Sequence, residues 1–593
     1  AGTTADLDNT GRDEKDLIGN IYNLNIVVDG KENVGFLRNY DYMYGNYSPT
    51  IQSLVQNDFN IRDTHVNSID FTSTADGGVL FRTDRYGINV LKNLTVTPGN
   101  AYIGDPNPLA PTDPTKNLNK RFNIVMLANG TVNHADTVVP KVKNTGTITI
   151  NAGGQNVIGL MAYNGGRAES TGDITVTNSD DSIGMVISGT NSSNKISSGT
   201  SSSNIKLKGT RVTGIYNNGT DYVMTGGSVK VEGQDSMGIY ASNVGTTLAT
   251  TKLQNGTISA EGIGAVALYA RGGSDIELNN TTLSIGNGGL LFYGAGTASD
   301  KSQLIMTGAD SNATIANGGT AFYVKNASGS PLSALISSAS TKTLNLNMQS
   351  GSTLMVAEGS GGNVGGELVS NLSSLGTGSI TGLNITGTPG TYVPYKATRV
   401  PLTVDVNSNL DNPGDAYLKS EFSSSSVTNN AVISGSGAIT TPVSLRDKSK
   451  LGIAQKNDSG QPRNDVILTN NGTINLSGTG MVGVVGEYTE IYNNGMIRIS
   501  GNDSVGILGS NGALAQNNAT GTIEIGNSGT GIAAINYLGT TVPTTGNKTI
   551  EVVNNGTIKS LGTGSSIGVL AIDNQAVSGE GVPVNGSTVE ITK

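Results

Sequence analysis

Short runs of alternating apolar and polar residues recur along this chain, each followed by a turn and then by Gly with two or three apolar residues. "NNGTINLSGTGMVGVVG" from Asn470 and "NNGMIRISGNDSVGILG" from Asn493 are nearly one line written twice, 23 residues apart. Further copies start at Asn144, Ser170, Gly226, Asn517 and Asn554. Pairs such as Ile474/Leu476, Ile497/Ile499 and Ile523/Ile525 have the period-two spacing of a strand with one buried face. No stretch of 11 residues keeps helical periodicity, which excludes leucine-rich, ankyrin and tetratricopeptide arrays. A propeller blade needs about 40 residues and four strands; units of 23 to 26 residues fit two or three short strands. The pattern predicts an all-β parallel β-helix, a solenoid in which one unit is one coil.

In that architecture equivalent positions stack into columns about 4.8 Å apart, and each column selects a residue type. Ile and Val fill the interior columns. Asn and Gly are expected at the corners, where a positive φ is cheap for Gly and tolerable for Asn. The recurring glycines of the Gly-apolar element are Gly159, Gly184, Gly214, Gly238, Gly483, Gly506, Gly531 and Gly568. An aromatic column follows the same element: Tyr216, Tyr240, Tyr269, Tyr293 and Tyr323. It reads either as a structural stack or as an exposed binding ladder. At about 25 residues per coil the chain makes roughly 20 coils, a rod on the order of 100 Å long with loops protruding from it.

Composition agrees with this. The 593 residues exceed one compact core, and Gly is 83 of them. Charged residues are only 14%, against a typical ~25%, so Asn, Ser and Thr supply most of the polarity. Regular Val and Ile set the chain apart from a disordered one. Net charge is −9 without any cluster of Lys and Arg, which argues against nucleic acid and anionic membranes as partners. "KNLNKRF" at 116–122 is the densest basic patch and reads as a solvated loop. With no Cys, disulfides, thiolate metal sites and a Cys nucleophile are excluded. No apolar run reaches the ~18 residues of a membrane span, and residues 1–25 lack a signal-peptide layout. Any export signal or anchor is expected outside this chain, with no direct membrane insertion by it.

Four segments are expected: irregular coils with long loops over 1–140, regular coils over 141–335, an excursion or joint over 336–465, and regular coils over 466–593. The Ser-rich tract "SSGTSSSN" at 197–204 reads as a break in the second of these. The Pro-rich "GDPNPLAPTDPTKNLNKR" at 104–121 excludes a central strand.

The repeats "NNGTINLSGTG", "NNGMIRISGNDSVGILGS" and "NNGTIKSLGTGSSIGVLA" resemble passenger-domain repeats of very large type V autotransporter adhesins of oral anaerobic Gram-negative (fusobacterial-type) bacteria. The resemblance covers 140–335 and 466–593 well and the rest loosely. It implies a right-handed parallel β-helix, a monomer displayed at the cell surface or outer membrane. It also implies an adhesive role toward other bacteria, host glycans or host-cell receptors.

Catalytic patterns are weak. His65 and His134 are the only histidines, neither near a second ligand in sequence. G-x-S-x-G at 564–568 requires a helix after the Ser, and G-x-G-x-x-G at 478–483 a helix N-terminus; neither is expected here. Asp180/Asp181 read as solvated turn residues, and the calcium nonapeptide does not occur. No enzyme activity, cofactor or metal is expected.

Recognition in a repeat scaffold falls on what interrupts the columns. "FLRNYDYMYGNYSP" at 36–49 places Tyr40, Tyr42, Tyr44 and Tyr47 within eight residues, beside Arg38 and Asp41. Tyr offers a large apolar face and a hydroxyl at low entropic cost, as protein hot spots and glycan stacking require. The second candidate is Tyr392, Tyr395, Arg399 and Tyr417 in the Pro-rich stretch. In each case the rings either bind a partner or pack the loop onto the coils. A purely structural stalk is the competing function, with a carbohydrate-active enzyme third.

Overall fold

The computed structural model describes residues 20–22, 25–29, 34–38, 59–62, 64–70, 78–98, 122–130, 139–244, 250–295, 301–325, 335–338, 342–359, 382–387, 392–398, 402–404, 408–411, 418–421, 426–436, 451–457, 462–536, 550–573 and 589–592. The fold is a parallel β-helix, with strands taking up 63% of the described residues. Two compact units, Ala1–Ser284 and Ile285–Lys593, divide it.

In the first unit a coil has three strands, as in Lys141–Asn144, Thr147–Ile150 and Val157–Tyr163. Each pairs in parallel with its equivalent in the coil before and after, giving three faces. On the second face Leu94, Ile148, Ile174, Ile205, Val229 and Ile258 form one column, all fully buried. On the third face Phe81, Met126, Leu160, Met185, Ile215, Ile239 and Leu268 do the same. Burying each such side chain stabilises by about 1.5–3 kcal/mol.

The first face is less uniform. Its inward column reads Ile88, Val142, Ala168, Gly199, Tyr222, Thr251, Ile276. Gly199 lacks a Cβ that would stand 2.5 Å from Ile187 Cγ1 and 3.2 Å from the ring of Tyr222, a fully buried side chain. Ser201 and the Tyr222 hydroxyl share a 2.6 Å hydrogen bond. The Ser-rich tract is therefore not a break. Ser198–Ser201 is a strand in register with Arg167–Ser170 and Asp221–Met224.

In the second unit the third face runs in register from Phe322 through Met355, Tyr395, Leu418 and Ile453 to Val484, Ile507, Ile532 and Val569. Faces one and two behave differently. Among the described residues their ladders end at Ile336–Ser338 and Leu383–Thr386 and begin again at Leu402–Val404 and Ser408–Asp411.

The repeated Asn-Asn-Gly owes little to positive φ. Asn470, Asn471, Gly472, Asn493, Asn494 and Gly495 all keep ordinary backbone angles. A Cβ on Gly495 would lie 2.0 Å from the carbonyl oxygen of Gly472, and one on Gly472 2.1 Å from that of Ala431. Glycine is required there because coils touch through their backbones. The glycines of the Gly-apolar element, Gly568 excepted, have the same cause: a Cβ on Gly483 would meet Gly506 O at 2.7 Å. Left-handed residues occur at other turns, Asp181, Asn511 and Gly512 among them.

The two asparagines build two amide ladders. In the buried one, Asn429 Nδ2 donates to Asn470 Oδ1 at 2.8 Å, Asn470 to Asn493 at 2.7 Å, Asn493 to Asn517 at 2.8 Å and Asn517 to Asn554 at 2.9 Å. The outer ladder runs the other way: Asn471 donates to Asn430, Asn494 to Asn471 and Asn518 to Asn494. An Asp in the inner ladder keeps the bond it accepts but loses its donations to Asn517 Oδ1 and Gly495 O. Asn493→Asp is expected to destabilise by about 1–3 kcal/mol, and Asn494→Asp on the exposed ladder by less. Denaturant unfolding of both variants checks the order; equal losses would refute the buried ladder's role.

Candidate binding surface on the third face

The sequence column of tyrosines lies on the outer side of the third face. In the first unit Tyr216, Tyr240 and Tyr269 pair in register, while their neighbours Ile215, Ile239 and Leu268 point to the core. The rings stack: centroids are 4.6 Å apart between Tyr216 and Tyr240 at an interplanar angle of 3°, and 5.4 Å between Tyr240 and Tyr269 at 13°. In the second unit Tyr293 and Tyr323 stack at 5.3 Å and 13°. Such pairs add about 0.5–1.5 kcal/mol each beyond area burial. Tyr216 is buried, and the other four are half-buried.

After Arg82, the same outward column is aliphatic for three coils. Leu127, Met161 and Val186 precede Tyr216 in it, and together with Val79, Phe122, Ile124, Ile158 and Ile183 they form a buried cluster on the outer side. Tyr163 and Tyr240 pack against that cluster. The second unit has a counterpart in Val482, Val505, Leu508, Ala533 and Ile535. Both escaped the sequence reading, although two consecutive apolar residues after each Gly were the signal: one faces in, the other out.

Polar groups border the tyrosines. Ser242 Oγ donates to Asn218 Oδ1 at 2.6 Å, and Arg271 pairs in register with Ser242. Burial first, and Tyr240 next, push the Tyr216 hydroxyl well above the ordinary tyrosine range, with Arg271 opposing. The Tyr323 hydroxyl donates to the Glu358 carboxylate, and burial followed by that bond raises it likewise. In the first unit the surface thus presents hydroxyls, ring edges and the Arg271 guanidinium, and in the second hydroxyls, ring edges and the Glu358 carboxylate, groups suited to apolar contact and hydrogen bonding.

A polar network not read from sequence sits on the first face of the second unit. Arg463, in the single turn Arg463–Asp465 after Pro462, is buried between Glu490, 3.6 Å away, and Glu551. Tyr492 donates to Glu490 at 2.7 Å and is raised to about 12, by burial first and by Glu490 next.

No family model, curated protein or solved structure matches this chain.

The loop candidates fare unevenly. Arg38 ends the strand Val34–Arg38, opposite Thr83; its side chain lies outside the described residues. So do Tyr40, Asp41, Tyr42, Tyr44, Tyr47, Arg399 and Tyr417 in full. Tyr392 is described and only 5% exposed, which leaves little of it for a partner. Tyr395 belongs to the strand Val393–Thr398, and its register position is that of Met355 and Ile453, both buried. His65 lies in the strand Thr64–Asp70, and His134 is outside the described residues. The Ser of G-x-S-x-G, Ser566, precedes the strand Ile567–Asp573, and residues 478–483 run into the strand Val482–Glu487. Neither motif is followed by a helix.

Tyr323 makes stability depend on alkaline pH. Its neutral form is favoured in the fold, so its contribution is complete below the ordinary tyrosine value near 10 and is lost as pH rises beyond it. The tyrosinate absorbance difference between wild type and Tyr323→Phe should therefore titrate above that value, and closer to it in a Glu358→Gln background. A difference curve unaffected by Glu358→Gln would refute the coupling.

Proposed function

We propose that this chain is a passenger segment of a cell-surface adhesin. Its partner would be a host-cell receptor, a host glycan or the surface of another bacterium. The observation that carries the reading is the outward tyrosine column, whose rings the parallel register holds at fixed spacing beside Arg271. Side chains that serve only the core have no reason to face outward as half-exposed aromatics; aromatics and Arg are what binding surfaces concentrate. The likeness of the repeats to autotransporter passengers supports the same reading. A structural stalk is the second reading, favoured by the fact that the tyrosine faces are already engaged with one another.

Binding of the full chain to a glycan array and to host and bacterial cells separates the two. For the adhesin, Tyr240→Ser with Tyr269→Ser, or removal of 38–49, should weaken binding at least about tenfold while the far-ultraviolet spectrum stays that of wild type. A chain that binds nothing in either format, or one whose binding both variants leave unchanged, would favour the stalk.

A further inference from the structure

Asn-Gly is the dipeptide in which the following amide nitrogen most easily reaches the asparagine side chain, because glycine offers no Cβ to block it. The chain contains eleven Asn-Gly pairs, of which ten lie among the described residues. Ring closure needs the glycine nitrogen free to attack and the side-chain amide free to swing. The coils withhold one or both almost everywhere.

In eight of the ten pairs the glycine N–H is engaged. Gly472 donates to Asn429 O, Gly495 to Asn470 O, Gly130 to Tyr163 O, Gly219 to Ser242 O, Gly288 to Gly318 O and Gly318 to Gly351 O. Gly165 donates to Ser197 Oγ and Gly512 to Asn536 Oδ1. At Asn255–Gly256 the side chain is held instead: Asn255 Oδ1 accepts from Asn280 Nδ2 at 2.8 Å, within a left-handed turn at φ 55°.

Asn555–Gly556 differs from all of these. By sequence Asn555 continues the outer amide ladder, but Asn518 Oδ1 accepts from Gln516 Nε2 instead. Neither the Asn555 side chain nor the Gly556 N–H has a partner among the described residues, and Asn555 is exposed. The backbone of Asn555 is nevertheless anchored, its N–H donating to Asn517 O.

We infer that Asn555 is a site of spontaneous deamidation, to which the folded chain directs a reaction its other described Asn-Gly pairs resist. The Gly556 nitrogen bonds to Asn555 Cγ, its proton leaves with the side-chain amide as ammonia, and a five-membered succinimide results. Water then opens the ring to aspartate or isoaspartate; no oxidant or reductant enters. The product carries a carboxylate on the outer corner, next to Asn518, and as isoaspartate one extra backbone methylene. The surface would thereby acquire charge with age at one defined place.

Peptide mass mapping of the intact folded chain, held at mildly alkaline pH and 37 °C, tests this. Mass gain of one unit at Asn555 should proceed at least about tenfold faster than at Asn471 or Asn494, whose reaction must wait for local opening. In urea all three should converge. Asn555→Gln, which closes the larger ring slowly, should remove the early ammonia release without altering the far-ultraviolet spectrum. Equal rates at the three sites in the folded chain, or early release that persists in Asn555→Gln, would overturn the assignment.

Discussion

Everything in this fold depends on backbone contact between successive coils. At a spacing near 4.8 Å a residue meets its own equivalent above and below, so an error at one position is felt through its column. Where the chain turns from the first face to the second, the approach is close enough that a Cβ on Gly146 or Gly172 would come within 1.8 Å of a carbonyl carried by the coil before it. The same contact dictates the glycine column of the third face, where Gly159, Gly184 and Gly214 each lie under the carbonyl of the next member. Relax that contact and the hydrogen bonds of all three ladders lengthen together.

Stacking of like on like also accounts for the low charge. Two equal charges 4.8 Å apart repel by about 0.9 kcal/mol in water, and by about 3.5 kcal/mol at the effective dielectric of a protein surface. An amide avoids that cost, since its oxygen and nitrogen let identical side chains bond to each other. Where charges do occur they alternate or are shared. Arg498, Glu524 and Lys559 follow one another in a column and pair at 3.6 and 3.9 Å. Lys206 and Lys230 are adjacent, yet Glu232 lies 3.5 Å from the first and 2.7 Å from the second. Lys230 accordingly holds the Glu232 carboxyl below the usual range.

Legibility in the sequence followed the uniformity of each column. The second and third faces were readable because Ile, Val and Leu recur in them at fixed distances from Gly. The first face was not, since Ala168, Gly199, Tyr222 and Thr251 share one inward column and differ in size; a large ring is accommodated by an absent side chain one coil away. For the same reason a serine tract passed for an interruption. The corner glycines were located correctly but explained by torsion alone: a positive φ is found at Gly219, Gly288 and Gly318, whereas contact demands Gly472 and Gly495, and sequence shows a glycine but not which of the two requires it. Of the binding candidates, the tyrosine column was legible as a column but not as an outward one. The Arg463 network was not legible at all, its members being brought together from 463, 490 and 551 only by stacking.

The outer column of the third face shows how such a scaffold can change its surface without changing its frame. Met161, Val186, Tyr216, Tyr240 and Tyr269 occupy one register, and the inward residues beside them, Leu160, Met185, Ile215, Ile239 and Leu268, remain apolar throughout. What the outward residue is has no bearing on the backbone ladder behind it. An aliphatic stretch can be buried by covering chain, an aromatic stretch can stack with its edges in solvent, and a Lys or Glu can follow, as Lys396 does after Val356 in the second unit. Frame and surface are therefore selected by different physics. Identity along the inward columns is demanded by packing, whereas variety along the outward one is free to follow whatever the protein meets.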